Sequence, residues 1–178
     1  MGVVLIGYRG SGKTCVGRIV ADRIGWRLVD TDDMVRRDSG MPIAEIFQRE
    51  GQAGFRSREC DAVRRAVAIP RCVISAGGGV VESAPNGPLL GAYGPVVWLT
   101  ADAAVLWQRI SADAGSSANR PDLAGGGLAE VRSVLAHREP LYRALADVVI
   151  ETDAMDIDAV AHRVEDLLRS PGGLAGTD

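Results

Sequence analysis

Five short apolar runs, Val3–Ile6, Arg27–Asp30, Cys72–Ser75, Val96–Thr100 and Val148–Glu151, recur along the chain. They are nearly continuous rather than alternating, the pattern of strands covered on both faces. Between them lie stretches with apolar residues at helical spacing: Lys13–Ile24, 32–39, 43–50, 55–67, 103–111, 128–138, 141–146 and 156–169. Gly25, Gly40 and Gly51 stand where the first three should stop. Strands separated by helices are joined by crossovers and so run parallel. The expected fold is α/β, a five-stranded parallel sheet with helices on both faces. A length of 178 residues suits one domain, read over 1–169, with 170–178 (SPGGLAGTD) a frayed tail. The segment 113–127 (DAGSSANRPDLAGGG) breaks the rhythm, and so long and polar a loop is expected to be a mobile lid.

Gly7-Tyr8-Arg9-Gly10-Ser11-Gly12-Lys13-Thr14 fits G-x-x-x-x-G-K-[ST] in full, after an apolar strand and at the start of a helix. Glycines there let backbone amides curl around phosphate oxygens, and the helix N-terminus adds a favourable dipole. Gly10, Ser11, Gly12, Lys13, Thr14 and Cys15 are the expected phosphate-binding stretch. Lys13 would reach the β- and γ-phosphates of ATP, and the Thr14 hydroxyl would ligate Mg²⁺. Lys13 is the only lysine beside nineteen arginines, so a compact ammonium is wanted at this position and nowhere else. The bland alternative is a glycine-rich turn that binds nothing. With the motif, the fold is expected to be a P-loop NTPase of the nucleoside-monophosphate-kinase kind.

A phosphate loop does not say what receives the phosphate. Asp30-Thr31-Asp32 at the end of the second run offers two carboxylates, one for Mg²⁺ and one for a hydroxyl proton. The alternative for Asp32 is a helix N-cap, a role open to Asp33 as well. Gly77-Gly78-Gly79 directly follows the third run and brings backbone within reach of a small polar ligand. Three arginines sit among apolar neighbours, Arg56, Arg120 and Arg138, a setting suited to bidentate contact with carboxylate or phosphate. Arg120 in the lid is placed to stabilise charge on a transferring phosphoryl group.

Composition removes other classes. A net charge of −3 and pI near 5.4 argue against nucleic acid as partner. The apolar stretch 89–107 is broken by Gly91, Gly94, Pro95 and Asp102, so no membrane span is expected, and the four-residue first run is too short for a secretory signal. Cys15, Cys60 and Cys72 are odd in number and lack metal-ligand spacing, pointing to a reducing cytoplasm. His137 and His162 are expected on helix surfaces rather than at a metal. A monomer is expected, since no apolar helix face is left unassigned.

The phosphate loop, VDTDD at 29–33, AGFR at 53–56, AGGGVV at 76–81, NRP at 119–121 and REPLYR at 138–143 stand in the order found in shikimate kinases, and the chain resembles that family from residue 3 to about 168. The resemblance implies transfer of the ATP γ-phosphate to the 3-hydroxyl of shikimate, with Mg²⁺. It makes Asp32 the shikimate-hydroxyl ligand and base, and Asp30 the outer-sphere Mg²⁺ carboxylate. Arg56 and Arg138 become the clamp on the shikimate carboxylate, with backbone contacts from Gly78 and Gly79 and Glu59 orienting Arg56. Arg120 becomes the lid arginine and Arg109 the arginine that stacks on adenine. Phe47 and Phe55 resemble the apolar wall beside the acceptor and could equally be core. Two departures stand out: Asp122 replaces an apolar lid residue, and 152–158 carries no basic residue for adenine. Competing readings are a gluconate kinase, a nucleoside monophosphate kinase and a noncatalytic ATP-binding module. The Arg56–GGG–Arg138 set suits a carboxylate better than a nucleotide, motif order argues against gluconate, and a module without turnover would need no lid arginine.

Overall fold

The structure, a computed structural model, describes residues 2–112 and 126–169. In chain order it forms β1 (Val3–Ile6), α1 (Lys13–Ile24), β2 (Arg27–Asp30), α2 (Thr31–Ser39), α3 (Ile43–Val67) and β3 (Cys72–Ser75). A 3₁₀ turn (Val80–Glu82), α4 (Asn86–Tyr93), β4 (Val96–Thr100), α5 (Ala103–Ala112), α6 (Gly127–Leu145), β5 (Val148–Glu151) and α7 (Ile157–Arg169) follow. The strands make one five-stranded sheet of order β2-β3-β1-β4-β5, every pair parallel. All five coincide with the apolar runs.

The two-residue period of a strand divides each run between two cores. Val4, Ile6, Ile74, Val96 and Trp98 face α3, α4 and α6 and pack with Val63, Ala66, Leu90, Tyr93 and Tyr142. Val3, Leu5, Val73, Val97 and Leu99 face the other way, against Val16 and Val20 of α1 and Val160 and Val164 of α7. Burying each such aliphatic side chain contributes about 1.5–3 kcal/mol, which explains why neither face of β1 tolerates a polar residue. Burial on both faces is complete in β1 and β3 and nearly so in β4. The edge strands β2 and β5 are only partly covered, because each has a neighbour on one side alone and the helix layers centre on the middle of the sheet.

Two helical readings change. Segments 43–50 and 55–67 keep their division: the Gly51 backbone inside α3 is non-helical, with φ of 69° and ψ of −174°, so α3 is two helical pieces meeting at a kink. Segments 128–138 and 141–146 are one helix, α6, which runs through Pro140 because buried Val131, Arg138 and Tyr142 pin it on both sides. Helix α4 is absent from the pattern: Gly87, Pro88 and Gly91 hide it, and tertiary burial of Asn86, Leu90 and Tyr93 makes it.

Strand β1 has β3 on one side and β4 on the other. The connection leaving β1 crosses to β2 while the one leaving β3 crosses the opposite way to β4, opening a crevice at the carboxyl ends of β1 and β3, the place where α/β sheets bind ligands.

Candidate active site

The phosphate loop fills that crevice. Gly7, Gly10 and Gly12 hold φ of 141°, 80° and 91°, values closed to most side chains, and a Cβ on Gly7 would lie 2.2 Å from the Leu99 carbonyl. Gly12 caps α1 with no side chain, leaving the helix N-terminus to the cleft. Lys13 is buried, and its Nζ donates to the carbonyls of Gly7 (2.8 Å) and Tyr8 (2.9 Å). Loop and ammonium thus make one rigid, positive cradle.

Asp30 does two jobs. Its Oδ1 accepts from the backbone N–H of Asp32 (3.0 Å) and Asp33 (3.1 Å), so Asp30 is the N-cap of α2, and neither Asp32 nor Asp33 is. Its Oδ2 accepts from the hydroxyls of Thr14 (2.8 Å) and Ser75 (3.0 Å). A carboxylate and two hydroxyls from β2, α1 and β3 thus form a compact set of hard oxygen donors. That chemistry fits Mg²⁺, which takes one or two protein oxygens and completes its shell with phosphate and water. Among the described residues no group of three or more His, Cys, Asp or Glu side chains gathers. His137 and His162 are exposed on α6 and α7, as expected.

Asp32 opens α2 with its carboxylate turned toward the glycine turn: a Cβ on Gly77 would lie 2.6 Å from Asp32 Oδ1 and 2.9 Å from Glu59 Oε1. Glycine is required at 77 because two carboxylates approach its Cα. The same turn admits Arg56, since a Cβ on Gly79 would come within 2.3 Å of Arg56 Nη2. Arg56 Nη1 donates to the buried Glu59 Oε2 at 2.7 Å, and its buried Nε has no hydrogen-bond partner among the described residues. Arg138 reaches the turn from α6, its Nη1 donating to the Gly78 carbonyl at 3.3 Å. Burial would lower the Arg138 pKa, but Tyr142, the hydrogen-bonded Glu82 and Tyr8 outweigh it and hold the group above the ordinary arginine value. It stays a cation inside the protein.

The structure thus brings Lys13, Thr14, Cys15, Asp30, Asp32, Gly78 and Arg109 to the wall of a single cleft of about 350 Å³. A second cavity of about 220 Å³ adjoins the loop, lined by Gly10, Gly12, Arg109, Thr152, Met155 and Ile157. Arg109 is fixed there by bonds to Thr152 Oγ1 (2.9 Å) and O (2.8 Å). The segment after β5, without a basic residue, contributes Met155 and Ile157, an apolar wall suited to a flat base. Phe55 is core, stacked on Phe47 with ring centroids 4.6 Å apart. Arg120 and Asp122 lie outside the described residues.

Three side chains escape the motif reading. Tyr142 donates its hydroxyl to the Gly78 carbonyl. Glu130 is buried, accepting from Arg9 Nη2 (3.3 Å) and from the Gly126 N–H (2.8 Å), and so ties the start of α6 to the phosphate loop. Glu82 bridges Arg56 and Arg138. Tyr142 sits within REPLYR and could have been found there, but nothing in the sequence pairs Glu82 with residues 26 and 56 positions away.

Comparison with known proteins rests on this geometry. A sequence profile described as shikimate kinase matches residues 9–169. The chain belongs to the shikimate kinase family. A shikimate kinase of Oleidesulfovibrio alaskensis is 44% identical over 171 residues, covering 96% of this chain and 98% of the relative. One from Moorella thermoacetica is 41% identical over 168 residues, covering 94% of each. The solved shikimate kinase from Acinetobacter baumannii in complex with shikimate superposes with a TM-score of 0.87 at 33% identity, covering 94% of this chain and 92% of that one. As a shikimate kinase family member the chain is an ATP-dependent kinase, which removes the noncatalytic module.

Proposed function

We propose that this chain transfers the γ-phosphoryl group of ATP to the 3-hydroxyl of shikimate, giving shikimate 3-phosphate and ADP. The observation that carries the reading is the convergence of two guanidinium groups, Arg56 from α3 and Arg138 from α6, beside Asp32 and the glycine turn. An anionic ring with hydroxyls wants that set: two cations for the carboxylate and an acidic partner for a hydroxyl. Gluconate would use the same chemistry less well, being flexible where the clamp is rigid.

Phosphoryl transfer asks for positioning and charge stabilisation more than for covalent chemistry. The Gly10–Gly12 backbone and the Lys13–Cys15 amides cradle the phosphates, Lys13 faces the β- and γ-oxygens, and Arg109 with Met155 and Ile157 holds the base. Arg56 and Arg138 fix the carboxylate end of the ring, so that the 3-hydroxyl faces the γ-phosphorus. Gly78 and Gly79 serve by letting both arginines approach the backbone. Asp32 orients the hydroxyl and receives its proton as the O–P bond forms, while the bond from phosphorus to the β,γ-bridging oxygen breaks and ADP leaves with that oxygen. Thr14 directly, and Asp30 through it, would hold Mg²⁺, which when bound neutralises charge on the β- and γ-oxygens. Arg120 supplies a further positive charge from the lid. The three free thiols support a reducing, cytoplasmic setting, and the working form is taken as a monomer.

The test is ADP release with MgATP and, in turn, shikimate, gluconate, a nucleoside monophosphate or no acceptor. Stimulation by shikimate alone is expected. Release driven by another acceptor, or by none, overturns the assignment.

A further inference from the structure

The arginine pair already holds a carboxylate of the protein's own. Glu82 ends the short 3₁₀ turn that follows the three glycines. Arg138 Nε donates to its Oε1 and Arg138 Nη2 to its Oε2, both at 3.1 Å, and Arg56 Nη2 donates to the same Oε2. One further donor of each is engaged: Arg56 Nη1 by Glu59 at 2.7 Å and Arg138 Nη1 by the Gly78 carbonyl at 3.3 Å. Two cations therefore face two carboxylates, in a site where the Arg56 and Arg138 side chains are only 16% and 5% exposed. Charges this poorly hydrated interact strongly, and a third carboxylate brought to two cations already balanced by two carboxylates adds an uncompensated charge unless it displaces one of them.

We infer that Glu82 is an internal competitor for the acceptor's carboxylate, occupying the donors of Arg56 and Arg138 that the acceptor must take, so that the acceptor binds by exchange of one carboxylate for another. The inference rests on the reading of this pair as the acceptor clamp. Of the two glutamates, Glu82 is the one able to leave. Glu59 is fully buried on α3, three residues from Arg56, and holds that arginine from behind. Glu82 is 19% exposed, at the end of a three-residue turn, and a change of rotamer carries its carboxylate to water. The exchange leaves both guanidinium groups paired throughout, which avoids the cost of an unpaired buried charge. It also sharpens selection: a ligand without a carboxylate has no charge to offer in exchange and leaves Glu82 on the arginines.

The experiment compares wild type with Glu82→Gln and Glu82→Asp, measuring KM and kcat with shikimate and the dissociation constants of shikimate and its methyl ester. Shikimate turnover by wild type comes first, since its absence would overturn the acceptor assignment itself rather than the role of Glu82. With turnover present, Glu82→Gln should lower the shikimate KM and Kd by about three- to tenfold, the range of a partly exposed ion pair. Glu82→Asp, charged but one methylene shorter, should fall between. The gain should be confined to the carboxylate form, with methyl shikimate bound no more tightly than before. A shikimate KM that rises or stays fixed in both variants overturns the inference, as does an equal gain for acid and ester. Should Glu82→Gln fail to fold, Glu82→Asp decides by the same two readouts.

Discussion

In the proposed reaction Asp32 and Arg138 divide the acceptor's two ends between them. Asp32 is held by its place in the first turn of α2, capped by Asp30, and by the bare Cα of Gly77. Its replacement by Asn keeps size and removes the charge and the basic oxygen. Turnover of Asp32→Asn should drop by roughly 10²–10⁴, with ATP affinity nearly unaltered in equilibrium binding. Full activity would strip Asp32 of its role at the hydroxyl. Arg138→Ala should weaken acceptor binding by about 2–5 kcal/mol, because Glu82 and the acceptor lose a common partner. Ordinary shikimate kinetics would assign Arg138 to structure alone. For Arg120→Ala, kcat should fall by a larger factor than ground-state binding of either substrate; the reverse would leave the lid arginine a clamp. Asp32 and Arg138 could be singled out from the sequence because each sits in a motif whose residue types suit the proposed chemistry, and the structure places both beside the glycine turn. Glu82 and Glu130 could not be, since an acidic residue on a loop or helix is ordinarily solvated and only the fold brings theirs against arginines.

At the scale of elements, the site is built by turns that follow strands and by one bent helix. The kink at Gly51 lets the first half of α3 fold over the second, so that Phe47 stacks on Phe55 and Arg56 is steadied above the Phe55 ring, its guanidinium carbon 5.3 Å from the centroid. Space around Gly51 is open, yet its φ of 69° disfavours any side chain. Gly51→Ala should therefore destabilise the fold by about 1–3 kcal/mol through backbone strain alone, with a rise in the acceptor KM as Arg56 loses its seat. Equal urea midpoints for variant and wild type would show that the kink stores no such preference. Sequence periodicity found both halves of α3 and placed their break at Gly51, where the backbone leaves the helix, but it also divided α6 at Pro140, where the helix runs on. It reads local stop signals and is blind to the burial that overrules the one at Pro140.

For the whole molecule, stability should be lost on the alkaline side. Tyr93 of α4 donates to the Ile69 carbonyl at 2.8 Å and meets Cys72 Sγ at 2.9 Å, tying α4 to the start of β3 under the sheet. Burial raises the Cys72 thiol, an effect its bond to Tyr93 only partly offsets. Burial, and then the contact with Cys72, raises the Tyr93 hydroxyl well beyond its usual value. Both groups are neutral when protonated, so the folded chain keeps protons that the unfolded chain releases above about pH 9–10. Their contribution is fully present below that range and is lost progressively as pH climbs from it toward the raised values of the folded state. Calorimetry should show Tm falling from about pH 9 upward, less steeply in Tyr93→Phe at the cost of a lower Tm near neutrality. A wild-type Tm level through about pH 10.5 would contradict this account.

The sequence by itself determined the sheet, because a strand buried on both faces has no choice but to be apolar at every position, and the phosphate loop, because backbone that must cradle phosphate needs glycine at fixed spacing. Each is a local demand, written in consecutive residues. Tertiary structure alone decided which strands are edges, that Asp30 and not its neighbours caps α2, that α4 exists, and that Glu82 lies between the two arginines. Those outcomes depend on what arrives from distant parts of the chain, and a contact across 56 residues leaves no periodicity behind.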